Sequence, residues 1–257
     1  MIIPPAELET WTIYALGELY WRGIVRLPWR WPADEVAEYV SYMRERPTYN
    51  AHVKAKSDGV PRNMADPAGG EVASYDMADA LAAPHFFPFA LQFTDFARRY
   101  LGTPPKMYSL NSFWALPGHT EANPDIQMWH RDRDDYNFIA LFMLGTDVNV
   151  DSQGPHLYAK GTHRVTDDGN HPPRGEPIER ITGPAGTCWI EAPAGLHIGI
   201  KPRMGQRLLS WARWGVSESP QAYRWDKTEP VPASKIGMEP PFGETAYSTR
   251  LIVDWNR

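Results

Sequence analysis

The rhythm of apolar and polar residues changes near residue 105. Before that point it is helical in two places. From Ala33 to Arg46, the residues Val36, Tyr39, Val40 and Met43 fall three or four apart and give a helix one apolar side. Pro32 stands at the start of this helix and Pro47 stops it. From Pro88 to Leu101, Phe89, Phe93, Phe96, Ala97 and Tyr100 repeat the spacing, and Gly102 follows as a C-cap. Between the two, Ser57 to Gly70 is rich in Gly, Pro, Asn and Asp and reads as a long loop, the kind that often serves as a lid or binding element.

From Lys106 the apolar runs become short, and turn residues punctuate them. The runs are Lys106–Leu116, Ile126–His130, Asn137–Leu144, Pro155–Tyr158, Gly186–Ile190, Leu196–Ile200 and Gln206–Trp211. Many short strands with frequent turns predict a β-sandwich or barrel. After Trp214 the chain is Pro-rich and irregular, with a last possible strand at Arg250–Asp254. The expected organisation is one unit over 1–257: a mixed helical region (1–104), a β core (105–215) and a C-terminal extension (216–257).

Composition narrows the function. The formal net charge of -5 argues against a protein that binds nucleic acid by neutralising phosphates. No polybasic run suits an anionic membrane, and no stretch is apolar enough to span one. Met1–Pro5 carries no basic region followed by a long apolar one, so no secretory leader is expected. Cys188 is the only cysteine and cannot form an internal disulfide; its strand-like neighbours predict a buried, inert thiol. A cytoplasmic enzyme fits these features.

The candidate chemistry begins at His130-Arg131-Asp132. On an extended segment, residues i and i+2 face the same side, so an imidazole and a carboxylate there can grip one ion. By itself the pair is a weak signal, and a surface hydrogen-bonded pair is the plain alternative. His197, in Gly195-Leu196-His197 at the start of another predicted strand, is the best candidate for a third ligand. Two imidazoles and one carboxylate on one side of a metal suit the non-haem iron(II) oxygenases.

The stretch from His130 to Trp211 resembles the phytanoyl-CoA dioxygenase family of 2-oxoglutarate-dependent oxygenases. The pieces that carry the resemblance are Gln127–Asp132, Asp147-Val148, Gly154-Pro155-His156, Lys160–Arg164, Gly195–His197 and Arg207, in that order. Gly161-Thr162-His163 is similar to that family's Gly-Ser-His turn, with Thr for Ser. The resemblance implies a mainly β fold with flanking helices, a double-stranded β-helix (jelly roll, cupin-like). It implies Fe(II), 2-oxoglutarate and O2, with His130, Asp132 and His197 as metal ligands and catalytic centre. It implies a small-molecule substrate, released succinate and CO2, and, because Asp132 is present, hydroxylation or another oxidation in place of halogenation.

Arg207, ten positions after His197, matches the basic residue that holds the far carboxylate of 2-oxoglutarate in that family. A planar guanidinium suits a carboxylate, and an Arg in the apolar run Leu208–Trp211 needs a partner, which an internal salt bridge can also supply. Lys201 and Arg203 are rivals in what reads as an exposed loop. Tyr108, Asn111 and Gln127 are further cosubstrate candidates; Tyr108 and Asn111 lie on opposite faces of a regular strand. Trp129 reads as core. Arg131, Arg133, Asp134 and Asp135 form a charge run that is either a solvated turn or a polar rim for substrate. His163 is expected to support its turn, and His52, His85, His119, His156 and His171 to lie off the metal; a different triad using His156 and His163 is the minor alternative. Two rival functions stay open: a non-catalytic jelly-roll binding protein, and a metal dioxygenase independent of 2-oxoglutarate.

Overall fold

The computed structural model describes residues 1–50, 72–117, 127–165, 169–218, 229–239 and 243–257. The expected Ser57–Gly70 loop, His52 and His119 lie outside the described residues. No helix of the described residues is long and apolar enough to cross a membrane.

The N-terminal part of the chain is mostly helical. Helix α1 (Pro5–Arg22) ends where Gly23 turns left-handed, at φ 79°, and its N–H bonds the Leu19 carbonyl. A Cβ at this position would also collide with the Tyr158 hydroxyl and the His163 ring, so glycine is needed twice over. Strand β1 (Ile24–Arg30) and helix α2 (Ala33–Glu45) follow, α2 burying Val36, Tyr39 and Met43 as its spacing predicts. Helix α3 spans Met77–Ala82. The single helix expected over 88–101 is two helices, α4 (Phe86–Leu91) and α5 (Thr94–Leu101), capped by Gly102. Between them the chain makes a tight turn, with Gln92 N–H on the Phe89 carbonyl at 3.2 Å and Phe93 N–H on the Ala90 carbonyl at 3.0 Å. Gln92 accepts from the Ile3 amide at 2.8 Å and donates to the Met1 carbonyl at 3.2 Å, which fixes the N-terminus at the joint.

The strands make two facing sheets. The large one runs β1–β8–β5–β10–β4–β3–β2 and the small one β7–β6–β9. Their members are β2 (Tyr49–Asn50), β3 (Val72–Ser74), β4 (Lys106–Ala115), β5 (Phe138–Leu144), β6 (His156–Ala159), β7 (Ile178–Ile181), β8 (Thr187–Glu191), β9 (His197–Gly199) and β10 (Arg207–Gly215). All the named pairings in both sheets are antiparallel. An isolated bridge from His130 to His197 puts a further strand position beside β9. The four positions β7–β6–β9–His130 thus face β8–β5–β10–β4, the arrangement of an eight-stranded jelly roll, as expected. A short parallel pair, β11 (Val231–Pro232) with β12 (Val253–Asp254), lies in the C-terminal region.

The large sheet has two differently used faces. Register places Leu208, Ser210, Ala212 and Trp214 of β10 with Trp114, Ser112, Leu110 and Met107 of β4 on the side that packs the helices. Arg207, Leu209, Trp211 and Arg213 alternate to the inner side, with Leu144, Phe142 and Ala140 of β5 and Trp189 and Glu191 of β8. On the helix side, the buried Tyr39 hydroxyl sits 2.6 Å from Ser112 Oγ and 2.8 Å from Ser210 Oγ, and the two serines are 2.9 Å apart. This closed polar cluster pins α2 across β4 and β10.

Tyr39→Phe should therefore cost about 1–2 kcal/mol of stability in urea unfolding, while the paired serines and the inner face stay intact. An unchanged unfolding midpoint would remove the cluster from the account of how α2 docks.

Candidate metal centre

Main-chain pairing brings the sequence-distant residues together. His130 N–H donates to the His197 carbonyl at 3.0 Å, and His197 N–H to the His130 carbonyl at 2.9 Å. Asp132 N–H donates to the Pro193 carbonyl at 2.9 Å. Arg131, between the two, is buried and points away, its Nη1 donating to the carbonyls of Thr162 (2.7 Å) and Ala194 (2.8 Å). The i, i+2 geometry expected of His130 and Asp132 is thereby held by hydrogen bonds on both sides.

The two rings are set in the same way. Nδ1 of His130 lies 2.7 Å from the Met128 carbonyl, and Nδ1 of His197 lies 2.9 Å from the Gly195 carbonyl. A carbonyl only accepts, so each Nδ1 carries the proton and each Nε2 keeps a free lone pair. Both Nε2 atoms face Asp132 Oδ1, at 3.6 Å from His130 and 3.8 Å from His197. One ligand atom from each of the three residues lies within 4.8 Å of the others, so the set can hold a metal ion. The other carboxylate oxygen, Asp132 Oδ2, lies 3.0 Å from Arg213 Nη2.

The electrostatics favour this state. Burial raises the Asp132 carboxyl, but Arg213, His197 and His130 outweigh it and hold the group below its ordinary value. Burial and the neighbouring His130 push His197 down to about 4. Near neutral pH His197 offers a neutral imidazole and Asp132 a carboxylate.

The charge run beyond Asp132 turns inward. Asp134 accepts from the Tyr108 hydroxyl at 2.9 Å and pairs with Arg213. Burial leads its carboxyl to be raised above the ordinary value. Asp135 accepts from the amides of Val216 (2.7 Å) and Ser217 (2.8 Å) and fixes the end of β10. Arg133 is exposed. The run is thus neither a solvated turn nor a simple rim, because two of its acids are taken by β10 and its flank.

The expected opposite facing of Tyr108 and Asn111 does not hold. The β4–β10 register slips so that Arg213 pairs with Ser109 and Trp214 with Met107, leaving Tyr108 as the extra residue of a bulge. The bulge turns Tyr108 toward Asp134 and Arg213, while Asn111 pairs across from inward-facing Trp211. The Asn111 amide donates to the Tyr75 carbonyl at 2.9 Å and accepts from the Ser112 amide at 2.7 Å. Gln127 is buried just before the His130 segment.

Arg207 is 2% exposed and faces inward at the other end of β10 from Arg213. Its Nη1 donates to the carbonyls of Gly154 and Ile200, the latter at 3.3 Å, and its Nε has no partner among the described residues. Burial alone drives the guanidinium down to about 10, and among the described residues no carboxylate pairs with it. Its rivals differ: Arg203 is exposed and Lys201 half-buried.

Among the described residues, His163, His85 and His156 are not members of the triad. His163 meets the Tyr20 carbonyl at 3.1 Å in the turn after Gly161, and His85 pairs with Glu38. His156 is buried against Glu191, at 2.8 Å. Cys188 is buried and burial pushes its thiol up, as expected of an inert residue. Arg213, His156 and Glu191 were not singled out by sequence as parts of this interior. For Arg213 the signal was available, since 207, 209, 211 and 213 share one face of a strand.

No protein-family model matches the chain, and no curated protein matches it by sequence. Solved structures do match in fold. The non-heme alpha ketoglutarate dependent epimerase SnoN from nogalamycin biosynthesis is 18% identical, with 82% of this chain and 84% of that one covered and a TM-score of 0.57. HygX from Streptomyces hygroscopicus, with nickel and 2-oxoglutarate bound, is 14% identical, with coverage of 86% and 90% and a TM-score of 0.56. EctD from S. alaskensis, with bound Fe, is 15% identical, with coverage of 84% and 82% and a TM-score of 0.56. At these identities the likeness is one of fold, and it agrees with the jelly roll derived above.

The low value for His197 has a consequence for the metal-free protein. Unfolded, the imidazole titrates near 6.5; folded, near 4. Between these values the unfolded chain takes up a proton that the folded site refuses. Stability is therefore full above pH 6.5 and falls as the pH drops toward 4. The loss assigned to this residue is roughly 2–4 kcal/mol, read as a fall in melting temperature that His197→Gln flattens. Parallel pH profiles for the two proteins would contradict it.

Proposed function

We propose that this protein is an Fe(II)- and 2-oxoglutarate-dependent oxygenase that oxidises a small molecule, by hydroxylation, with release of succinate and CO2. The observation that carries the reading is a pair. Two imidazoles with their Nε2 lone pairs free converge on one carboxylate oxygen, and the same interior buries an arginine that no carboxylate of the described residues neutralises. A metal accounts for the first and a dicarboxylate cosubstrate for the second.

In this reading His130, Asp132 and His197 hold the iron through Nε2, Oδ1 and Nε2. Iron with 2-oxoglutarate and O2 supplies the oxidant. The rest falls to the chain. The Met128 and Gly195 carbonyls keep the two rings in the ligating tautomer. Arg213 occupies Asp132 Oδ2 and so leaves Oδ1 for the metal. Arg207 binds the far carboxylate of 2-oxoglutarate, and its burial strengthens that contact. In the same reading Tyr108, Asn111 and Gln127 are further cosubstrate residues. The apolar inner residues Phe142, Leu144, Trp189 and Leu209 keep water from the reacting groups. The fold neighbours include an epimerase and, with hygromycin B bound, HygX, so a small organic substrate accords with the fold.

The test is binding and turnover with the purified protein. Anaerobic Fe(II) protein should develop a visible charge-transfer band on adding 2-oxoglutarate, and should release succinate when O2 is admitted. Ala at His130, Asp132 or His197 should abolish iron binding. Arg207→Ala should keep iron and weaken 2-oxoglutarate about 10- to 100-fold. A wild-type protein that binds iron but neither binds nor consumes 2-oxoglutarate would favour the dioxygenase independent of it.

A further inference from the structure

The inner face carries one more charged group that the reading above leaves unused. Glu191 is fully buried in β8, where its Oε2 accepts from Trp189 Nε1 at 2.8 Å and meets His156 Nε2 at 2.8 Å. Burial alone would raise this carboxyl, but His156 beside it reverses the direction and holds it low. Its second oxygen, Oε1, is buried with no hydrogen-bond partner among the described residues. The surroundings are otherwise apolar: the His156 ring stacks on Phe142 at 5.8 Å, and Phe142 on Trp189 at 5.1 Å. As core filling, a buried ion pair with an unsatisfied oxygen is a poor choice beside an apolar pair of the same volume.

Its position suggests another use. In the β6–β9 ladder, Tyr158 pairs with His197 and His156 with Gly199. The next carbonyls along, from Gly154 and Ile200, are those that Arg207 binds. His156 therefore stands between the triad and Arg207 on the same inner face, its ring centre 5.6 Å from that of His197. The whole interval from His197 to Ile200 is three residues, about 10 Å of strand. A 2-oxo dicarboxylate with its oxo-acid end at the triad and its far carboxylate at Arg207 must pass this imidazole.

We propose that His156 and Glu191 act as a charged pair: His156, as an imidazolium with Nε2–H on Glu191, is a cosubstrate-contacting residue whose Nδ1–H donates to 2-oxoglutarate between the metal and Arg207, and Glu191 is the residue that positions it. This rests on the 2-oxoglutarate reading. Nε2 is committed to Glu191, and Nδ1 has no hydrogen bond to a described residue, so the ring has one polar atom left to offer. Phe142 and Trp189 hold the ring plane, and the carboxylate fixes its rotation.

The experiment uses the full chain with Fe(II), anaerobically, titrated with 2-oxoglutarate and followed by the visible band; iron affinity is measured separately on the same proteins. His156→Phe keeps the ring volume and removes both nitrogens. It is expected to leave iron affinity within about twofold and to raise the Kd for 2-oxoglutarate about tenfold or more, with a shifted band. His156→Gln should recover part of that loss. Glu191→Gln should weaken 2-oxoglutarate by a smaller factor, because the ring stays but is held less firmly. Wild-type affinity and band position in His156→Phe would overturn the assignment and leave the oxygenase reading standing. Should His156→Phe not fold, unchanged affinity in both His156→Gln and Glu191→Gln overturns it equally. Absence of any band in the wild type would instead remove the reading on which it rests. A purely structural pair predicts lost melting temperature with an unaltered ratio of iron to 2-oxoglutarate affinity, and that result also counts against it.

Discussion

The reciprocal main-chain bonds between His130 and His197 are the constraint from which the site follows. They join two segments that are 67 residues apart in sequence into one ladder position. Each ring then finds a carbonyl two residues back along its own chain, and both lone pairs turn to the same oxygen of Asp132. No side-chain contact has to create the triad, because the backbone pairing of the small sheet already sets its spacing. Preorganisation of this kind removes most of the ordering cost that metal binding would otherwise carry.

The large sheet separates stability from chemistry by face. Toward the helices, the Tyr39, Ser112 and Ser210 hydroxyls are neutral and satisfy one another. Toward the small sheet it carries charged residues that differ in how they are balanced. Arg213 lies between Asp132 and Asp134, and Glu191 lies against His156. Among the described residues, Arg207 meets only carbonyls. A buried guanidinium without an acid is costly unless an anion joins it, so Arg207 has more need of a bound anion than the better paired Arg213.

Much of this was legible from spacing. Helix α2 and strands β4, β5, β6, β8, β9 and β10 stand where the apolar runs place them, and His130, Asp132 and His197 meet as the i, i+2 pair and its distant partner suggested. What the sequence hid has physical causes. Strand β1 contains Pro28 and reads poorly, yet it is a sheet edge with a register shift between Arg26 and Arg30, where a proline is tolerated. Strand β7, Ile-Glu-Arg-Ile, is an edge of the small sheet and largely polar. The N-terminus docks at the α4–α5 joint through Gln92, a contact no local pattern announces. The bulge at Tyr108 inverted one facing, and the partnership of His156 with Glu191 joins residues from opposite sheets.

The most direct measurement is a crystal structure of the protein with 2-oxoglutarate and a redox-inert substitute for Fe(II). One ion is expected, bound by Nε2 of His130, Oδ1 of Asp132 and Nε2 of His197, with the far carboxylate of 2-oxoglutarate on the Arg207 guanidinium. An ion bound by other residues, or Arg207 neutralised by an acid of the protein with no 2-oxoglutarate beside it, would contradict this expectation.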